Sequence, residues 1–387
     1  MIKFPIPYGH QFISEDDIQA VVDVLKSDYL TCGPKIPEFE HIFKEYVGNP
    51  EYAVAVSNAT AGLHLAANAL GVKPGTNVIV TPMTFASSAN CVKFCGGNVT
   101  FCDIDPETYL MDINKLKEIL AGAPPKTYQG IIVVDFAGYP HNMEEFRKVA
   151  DEYGCWLLED ACHAPGAYFI DSKGKKQYTG NSKFADATIF SFHPVKHITT
   201  GEGGMVVTNR RDIYEKVALG RTHGITHDPA HMEKCDGNWY YEMIELGFNY
   251  RLTDIQAALG VSQMKVARKN VERRRQLVKR YNEAFKDIKS VRTPYEAKDV
   301  YHAYHLYIIQ IEDRKGLYDY LRTQGIYTQV LYYPLHLMPY YKQFGSKEGD
   351  LPVVEDYYKH CLALPMYPTL TDEQQQYVIE KVLDFIQ

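Results

Sequence analysis

The sequence predicts an α/β protein, a mostly parallel sheet covered on both faces by helices, followed by a smaller C-terminal α+β domain. Three observations carry that expectation. Short apolar runs alternate with helical patterns from about residue 50 to 210. The runs are nearly all apolar rather than alternating, as in strands buried on both faces. A long helical pattern then leads into a different arrangement of strands and helices.

The runs occupy residues 52–57, 77–80, 99–102, 131–134, 156–158, 188–190 and 205–208. Between the early ones, apolar residues recur at three- and four-residue intervals over 60–70, 87–94, 113–120 and 143–153, which predicts helices. Only a glycine-rich turn separates the last two runs, so 205–208 is expected to pair antiparallel. A helix over 14–27 precedes the sheet, and its segment is placed to close over a site. Residues 254–285 read as one long helix. Beyond it, 305–311 and 327–331 read as strands, and 315–324 and 372–385 as helices. This divides the chain into 1–250, the N-terminal segment and large domain, and 251–387, the connecting helix and small domain.

With 387 residues, 45% hydrophobic and 23% charged, the composition is that of an ordinary globular protein. The net charge of −7 and the lack of a long Lys/Arg run argue against nucleic acid as a partner. The densest basic cluster (Arg268, Lys269, Arg273, Arg274, Arg275, Lys279, Arg280) reads as a solvated helix face. Eight cysteines without CxxC pairs read as reduced thiols of a cytoplasmic protein. There is no signal-peptide pattern, and no apolar run reaches the ~20 residues of a membrane span.

The chemistry concentrates after the apolar runs, where ligands of open α/β sheets bind. The run from Asp186 leads through Phe190 to Lys196, and the glycine-rich turn Gly201-Glu-Gly-Gly204 follows. Desolvation lowers a lysine pKa and makes the amine nucleophilic, as a Schiff-base former requires. Ser57-Asn-Ala-Thr-Ala-Gly62 opens a helix, and reads either as a phosphate cradle around Thr60 and Ala61 or as a simple cap by Ser57 or Asn58. Phe85 is placed to stack on a flat ring or to join the core. Glu159 and Asp160 are adjacent on one strand, so only one can face the site; His163 follows them. A buried carboxylate beside a pyridinium nitrogen keeps that nitrogen protonated. With Ser191 as a second phosphate donor, the set matches what pyridoxal 5′-phosphate needs.

The chain resembles the fold-type I aminotransferases of the DegT/DnrJ/EryC1/StrS family, which act on nucleotide-linked keto sugars. The resemblance runs through Ile13-Ser-Glu-Asp-Asp-Ile18, Leu30-Thr-Cys-Gly-Pro34, residues 57–65, Glu159-Asp-Ala-Cys-His163, residues 191–204 and Gly247-Phe-Asn-Tyr-Arg-Leu-Thr-Asp254. His223-Gly-Ile-Thr226, Trp239-Tyr-Tyr-Glu242 and Tyr333-Pro-Leu-His336 are most similar to one branch. That branch aminates C4 of a UDP-linked 4-keto-6-deoxy-2-acetamido-L-sugar on the way to pseudaminic acid.

The resemblance implies a role for each matching position. Lys196 would hold the cofactor, in its pyridoxal and pyridoxamine forms, and shuttle a proton, with L-glutamate as amino donor. Asp160 would pair with the ring nitrogen, Phe85 would stack on the ring, and His163 would lie near the 3′ oxygen. Thr60, Ala61 and Ser191 would hold the phosphate, and Asn249 would reach the phosphate of the other subunit, making a homodimer. Thr31, Arg251, Tyr332 and His336 fall where relatives meet the sugar nucleotide. The chain departs from the pattern at Asp135 and Leu331, where many relatives carry histidine, and at Cys162, more often Ala or Ser. Other nucleotide-linked keto sugars remain open as substrates, including the D-xylo form, GDP- or dTDP-linked sugars and amination at C3. A sugar dehydratase is disfavoured because such relatives replace the lysine by histidine. A cofactor-binding regulator is disfavoured because it would need a separate nucleic-acid domain.

Overall fold

The structure, a computed structural model, describes residues 4–386. Seven strands form one sheet in the order Tyr52–Val56, Gly204–Thr208, Ala187–Ser191, Trp156–Asp160, Gly130–Val134, Asn77–Val80, Asn98–Phe101. All neighbours are parallel except Gly204–Thr208, which is antiparallel to both its partners. Every residue of Gly130–Val134, Ala187–Ser191 and Gly204–Thr208 is buried. This is why those runs lack polar alternation: helices cover both faces.

Register decides what meets at the edge of the sheet. Val134 lies opposite Asp160, and Asp160 opposite Ile189. Ser191 and Val56 both lie opposite Gly204. The single antiparallel strand therefore brings the end of the first strand level with the ends of the others. The residues after Val56, Asp160 and Ser191 share one rim.

Two apolar layers hold the sheet. One packs Ala66, Leu63, Val92 and Val217 of the helices Ala59–Ala69, Ser87–Phe94 and Arg211–Gly220 against Val54, Ile189 and Val206. Another packs Phe39 and Phe43 of the helix Lys35–Tyr46, which sequence patterning did not single out, against Phe190 and Phe192. Each fully buried side chain of this kind contributes about 1.5–3 kcal/mol before cavity effects.

In the C-terminal part, Tyr307–Gln310 pairs antiparallel with Cys361–Leu364. Leu277, Tyr281, Phe285, Leu317 and Val378 pack around that pair. Ile6 is fully buried in the same cluster, bridges Ile326, and is followed by Tyr8, whose carbonyl accepts from Met366 N–H at 2.9 Å. The N-terminal segment is thus strapped to the C-terminal unit.

Three expectations are corrected. The long helix over 254–285 is two helices, Asp254–Met264 and Ala267–Phe285. The break falls at Lys265 and Val266, whose N–H groups bond three residues back to Ser262 and Gln263. The first helix packs on the N-terminal helices Glu15–Leu25 and Lys35–Tyr46, the second on the C-terminal cluster, so the axis must turn between them. Residues 327–331 form no strand. Gln329 makes a single bridge to Ala363, while side chains take neighbouring backbone groups: Gln329 Oε1 accepts from Val330 N–H at 3.0 Å, and Tyr357 Oη donates to Leu331 O at 2.9 Å. The basic cluster is not uniformly solvated, because Arg274 is 1% exposed.

Candidate active site

The rim of the sheet opens into a cavity of about 720 Å³. Of the residues singled out from sequence, Thr60, Phe85, Asp160, His163, Ser191, Lys196 and Tyr332 line it.

Asp160 ends its strand at 5% exposure. Its Oδ2 accepts from Ser88 Oγ at 2.6 Å and its Oδ1 from Cys162 N–H at 3.2 Å. Ser88 Oγ also lies 2.6 Å from Thr84 Oγ1. Because Ser88 donates to the carboxylate, Thr84 must donate to Ser88. Glu159 takes the opposite face of the sheet, where its Oε2 accepts from Thr188 Oγ1 at 2.7 Å.

Lys196 lies five residues beyond the strand end at Ser191, in a turn closed by Phe192 N–H to Gly203 O and Thr200 N–H to Phe192 O, both 2.9 Å. The residue keeps partial exposure along the cavity wall, yet its surroundings lower its pKa to about 8. Burial is the main cause; the Arg274 charge lowers it further, and Cys162 and Asp160 act in the opposite direction.

The helix Ala59–Ala69 begins at the cavity wall. Asn58 caps it, its Oδ1 accepting from Ala61 N–H at 2.8 Å, which is the cap reading of the Ser57–Gly62 turn and occupies the Ala61 donor. Ala61 itself lies inside, in the core. Among the described residues, no acceptor takes the N–H groups of Ala59 and Thr60. Thr60 Oγ1 and Ser87 Oγ are 2.7 Å apart, and Ser191 Oγ faces the same cavity. A Cβ on Gly204 would stand 2.7 Å from Ala59 N, so only glycine lets that strand approach the turn. Hydroxyls and first-turn N–H groups at a helix N-terminus suit a phosphate.

His163 Nδ1 accepts from Ala137 N–H at 3.2 Å, which leaves the proton on Nε2, 3.4 Å from Tyr332 Oη. Burial pushes His163 well below the usual histidine pKa, so the ring is neutral. Phe85 is 63% exposed in the turn after Asn77–Val80. A carboxylate for the ring nitrogen, an amine, a hydroxyl cradle and an aromatic at the mouth fit pyridoxal 5′-phosphate.

The remaining candidates lie elsewhere. His336 is buried at 1% exposure and pairs with Glu355, Nε2 to Oε1 2.9 Å, away from the cavity lining. Thr31 and Asn249 are exposed and Arg251 partly so. The 249–254 segment runs beside the first strand and the 30–31 turn, through bridges of Arg251 to Val56 and Thr253 to Thr31. Of the departures, Leu331 lines the cavity, whereas Asp135 turns inward to His141, Oδ1 to Nδ1 2.8 Å. Among the described residues, Lys196 is the one lysine that lines the cavity, and no arginine lines it.

Sequence reading missed Ser88, Thr84, Ser87, Tyr8 and His305. Ser87-Ser88 at a predicted helix start was a usable signal. Tyr8 and His305 come from segments distant in sequence and carried none.

Comparison with known proteins gives the family. The DegT/DnrJ/EryC1/StrS aminotransferase family model matches residues 11–383. The spore coat polysaccharide biosynthesis protein SpsC of Bacillus subtilis is 37% identical over 98% of this chain and 97% of its own. The UDP-4-amino-4,6-dideoxy-N-acetyl-beta-L-altrosamine transaminase of Campylobacter jejuni is 35% identical over 99% and 98%. The structure of Helicobacter pylori PseC, an aminotransferase of pseudaminic acid biosynthesis, superposes with a TM-score of 0.88 at 29% identity, covering 99% of both chains. The chain therefore belongs to the DegT/DnrJ/EryC1/StrS aminotransferase family, and is a pyridoxal 5′-phosphate-dependent aminotransferase of nucleotide-linked sugars.

Proposed function

We propose that the protein aminates C4 of a UDP-linked 4-keto-6-deoxy-2-acetamido-L-sugar with L-glutamate as donor. The product would be UDP-4-amino-4,6-dideoxy-N-acetyl-β-L-altrosamine, for pseudaminic acid synthesis. The observation that carries the amination is the convergence of Lys196, Asp160 and the hydroxyl cradle on one cavity. The named sugar is supported by full-length similarity to the Campylobacter transaminase.

When bound, pyridoxal 5′-phosphate supplies the electron sink that stabilises charge at the carbon exchanging a proton. The protein's residues do the rest. Asp160, held by Ser88 and the Cys162 N–H, keeps the proton on the ring nitrogen. Thr60 and Ser191 would take the phosphate together with the N–H groups of Ala59 and Thr60, since the Ala61 N–H is held by Asn58. Phe85 covers one ring face, and neutral His163 offers Nε2–H toward the 3′ oxygen. Lys196 holds the cofactor, and as a free amine of lowered pKa its Nζ takes and returns the proton at the reacting carbon.

Among the described residues, the cavity walls carry no lysine or arginine besides Lys196 for the charges of a nucleotide diphosphate and a dicarboxylate donor. Asn249 and Arg251 stand on a surface segment instead. This supports a homodimer in which they reach the neighbouring site, with Thr31 beside them. Tyr332 would contact the sugar from within the same chain. His336, tied to Glu355, would act through the loop it anchors. The division into a cofactor-binding part, 1–250, and a smaller part, 251–387, follows the same reading. A cytoplasmic location is supported by eight free cysteines and, among the described residues, by no helix long and apolar enough to cross a membrane.

Another nucleotide-linked keto sugar is the second reading. SpsC is at least as similar as the transaminase, and Leu331 in the cavity wall departs from many relatives. The test is product identification by NMR and mass after incubation with L-glutamate and a fresh UDP-4-keto-6-deoxy-2-acetamido sugar, given separately as L-arabino and D-xylo forms. Amination at C4 of the L form alone is expected. Preference for the D form, or no reaction with either, removes the named substrate.

A further inference from the structure

The helix Ala267–Phe285 carries three consecutive arginines with two different fates. Arg273 pairs with Asp372 at 2.8 Å and Arg275 with Glu296 at 2.6 Å, both at partly exposed positions. Arg274, between them, points inward and is 1% exposed. Among the described residues it has no carboxylate partner. Its Nη1 donates to the carbonyls of Met366 at 2.9 Å, His305 at 3.1 Å and Tyr304 at 3.4 Å, and its Nε has no acceptor. A guanidinium buried without a counter-charge is costly, and three neutral carbonyls offset that cost only in part.

Its surroundings are the underside of the cavity. His305, whose carbonyl it holds, lines the cavity with Lys196. The His305 ring centroid lies 4.4 Å from that of His163 and 5.7 Å from that of His197. His197 gives its Nε2 proton to Ala303 O at 2.9 Å, and its Nδ1, like that of His305, is buried without a partner among the described residues. Three imidazoles and a fixed positive charge thus share one buried floor.

We propose that Arg274 is a positioning residue for the reaction: an unpaired buried guanidinium that sets the charge state of the polar floor beneath Lys196. The titratable groups around Lys196 are Asp160, Cys162 and His163 at the strand end, His193, His197 and Glu202 on its own turn, His305 opposite, and the phenols of Tyr8 and Tyr332. Asp160, Glu202 and any ionised Cys162 thiol favour a charged amine; Arg274 opposes them. Its charge acts in the same direction as burial on Lys196, His197 and His305, though burial is the larger cause at each. The inference rests on Lys196 as the residue that carries the cofactor.

The test is a spectrophotometric pH titration of the cofactor-loaded protein, following the visible band of the lysine-bound cofactor in wild type, Arg274→Lys and Arg274→Gln. Glutamine keeps an N–H donor for the carbonyls and removes the charge. Losing a nearby positive charge favours the protonated form, so Arg274→Gln should raise the midpoint by at least about 0.3 pH unit, a twofold change in proton affinity. Arg274→Lys should stay near wild type. A midpoint in Arg274→Gln within about 0.2 pH unit of wild type, in protein that binds the cofactor, overturns the proposal. If that variant does not fold, Arg274→Met, which removes the charge and keeps the length of the side chain, is titrated in its place against the same limit of about 0.2 pH unit. A visible band that persists in Lys196→Ala strikes instead at the reading of Lys196.

Discussion

At Lys196 the burial that makes the amine reactive also destabilises the fold while the group is charged. Its pKa is lowered from 10.5 to about 8, so between those values the unfolded chain binds more protons than the folded one. Stability therefore rises with pH across that window; the penalty is fully present below about pH 8 and gone above about pH 10.5. Lys196→Met should stabilise the cofactor-free protein by up to about 3 kcal/mol at pH 7, and by nothing measurable near pH 10.5. Denaturant titrations of both proteins at the two pH values check this; an advantage of equal size at both would refute it. Asp160 depends on a neighbour in a different way. Removing the Ser88 hydroxyl takes away its 2.6 Å donor, so Ser88→Ala should weaken cofactor binding about tenfold, read from the Kd of pyridoxal 5′-phosphate.

At the scale of elements, the site depends on one antiparallel strand. Gly204–Thr208 pairs with both the first strand and Ala187–Ser191, and Gly204 lies opposite Val56 and Ser191 at once. That places the N-terminus of the helix Ala59–Ala69 beside the Ser191 hydroxyl. The added methyl of Gly204→Ala would meet Asn58 and Ala59 backbone at 2.7 Å, which must move the helix start. Overpacking of this kind costs about 1–3 kcal/mol. Gly204→Ala should thus lower both the melting temperature and the cofactor affinity. Gly174→Ala, where a Cβ meets nothing within 4 Å, should lower the melting temperature through its positive φ while cofactor affinity stays at wild type. Equal cofactor affinity in the two variants would remove the role given to Gly204.

At the scale of the whole molecule, the N-terminal strap and the C-terminal unit close the site together, since Tyr8, His305, Leu331 and Tyr332 join its walls from segments far apart in sequence. The exposed 249–251 segment extends that logic to a second copy. If Asn249 serves the neighbouring site, Lys196→Ala and Asn249→Ala protomers, each inactive alone, should regain roughly a quarter of wild-type activity when refolded together one to one, because half the dimers are hybrids with one intact site. Activity that stays at the level of the separate variants would place Asn249 outside a shared site.

The sequence by itself determined the layered sheet, the odd antiparallel strand and the inventory of Lys196, Asp160, Ser191 and the 57–62 turn. Continuous apolar runs, glycine punctuation and strand-end polar residues are local signals, and local signals survive in one dimension. Only the tertiary structure decided that Ser88 and Thr84 brace Asp160, that Asp135 and His336 face inward to private partners, and that the helix over 254–285 turns at Val266. It also separated Arg274 from its solvated neighbours. Each of those outcomes turns on which side chain reaches a partner dozens of residues away, and helical spacing specifies a face without naming what the face will meet.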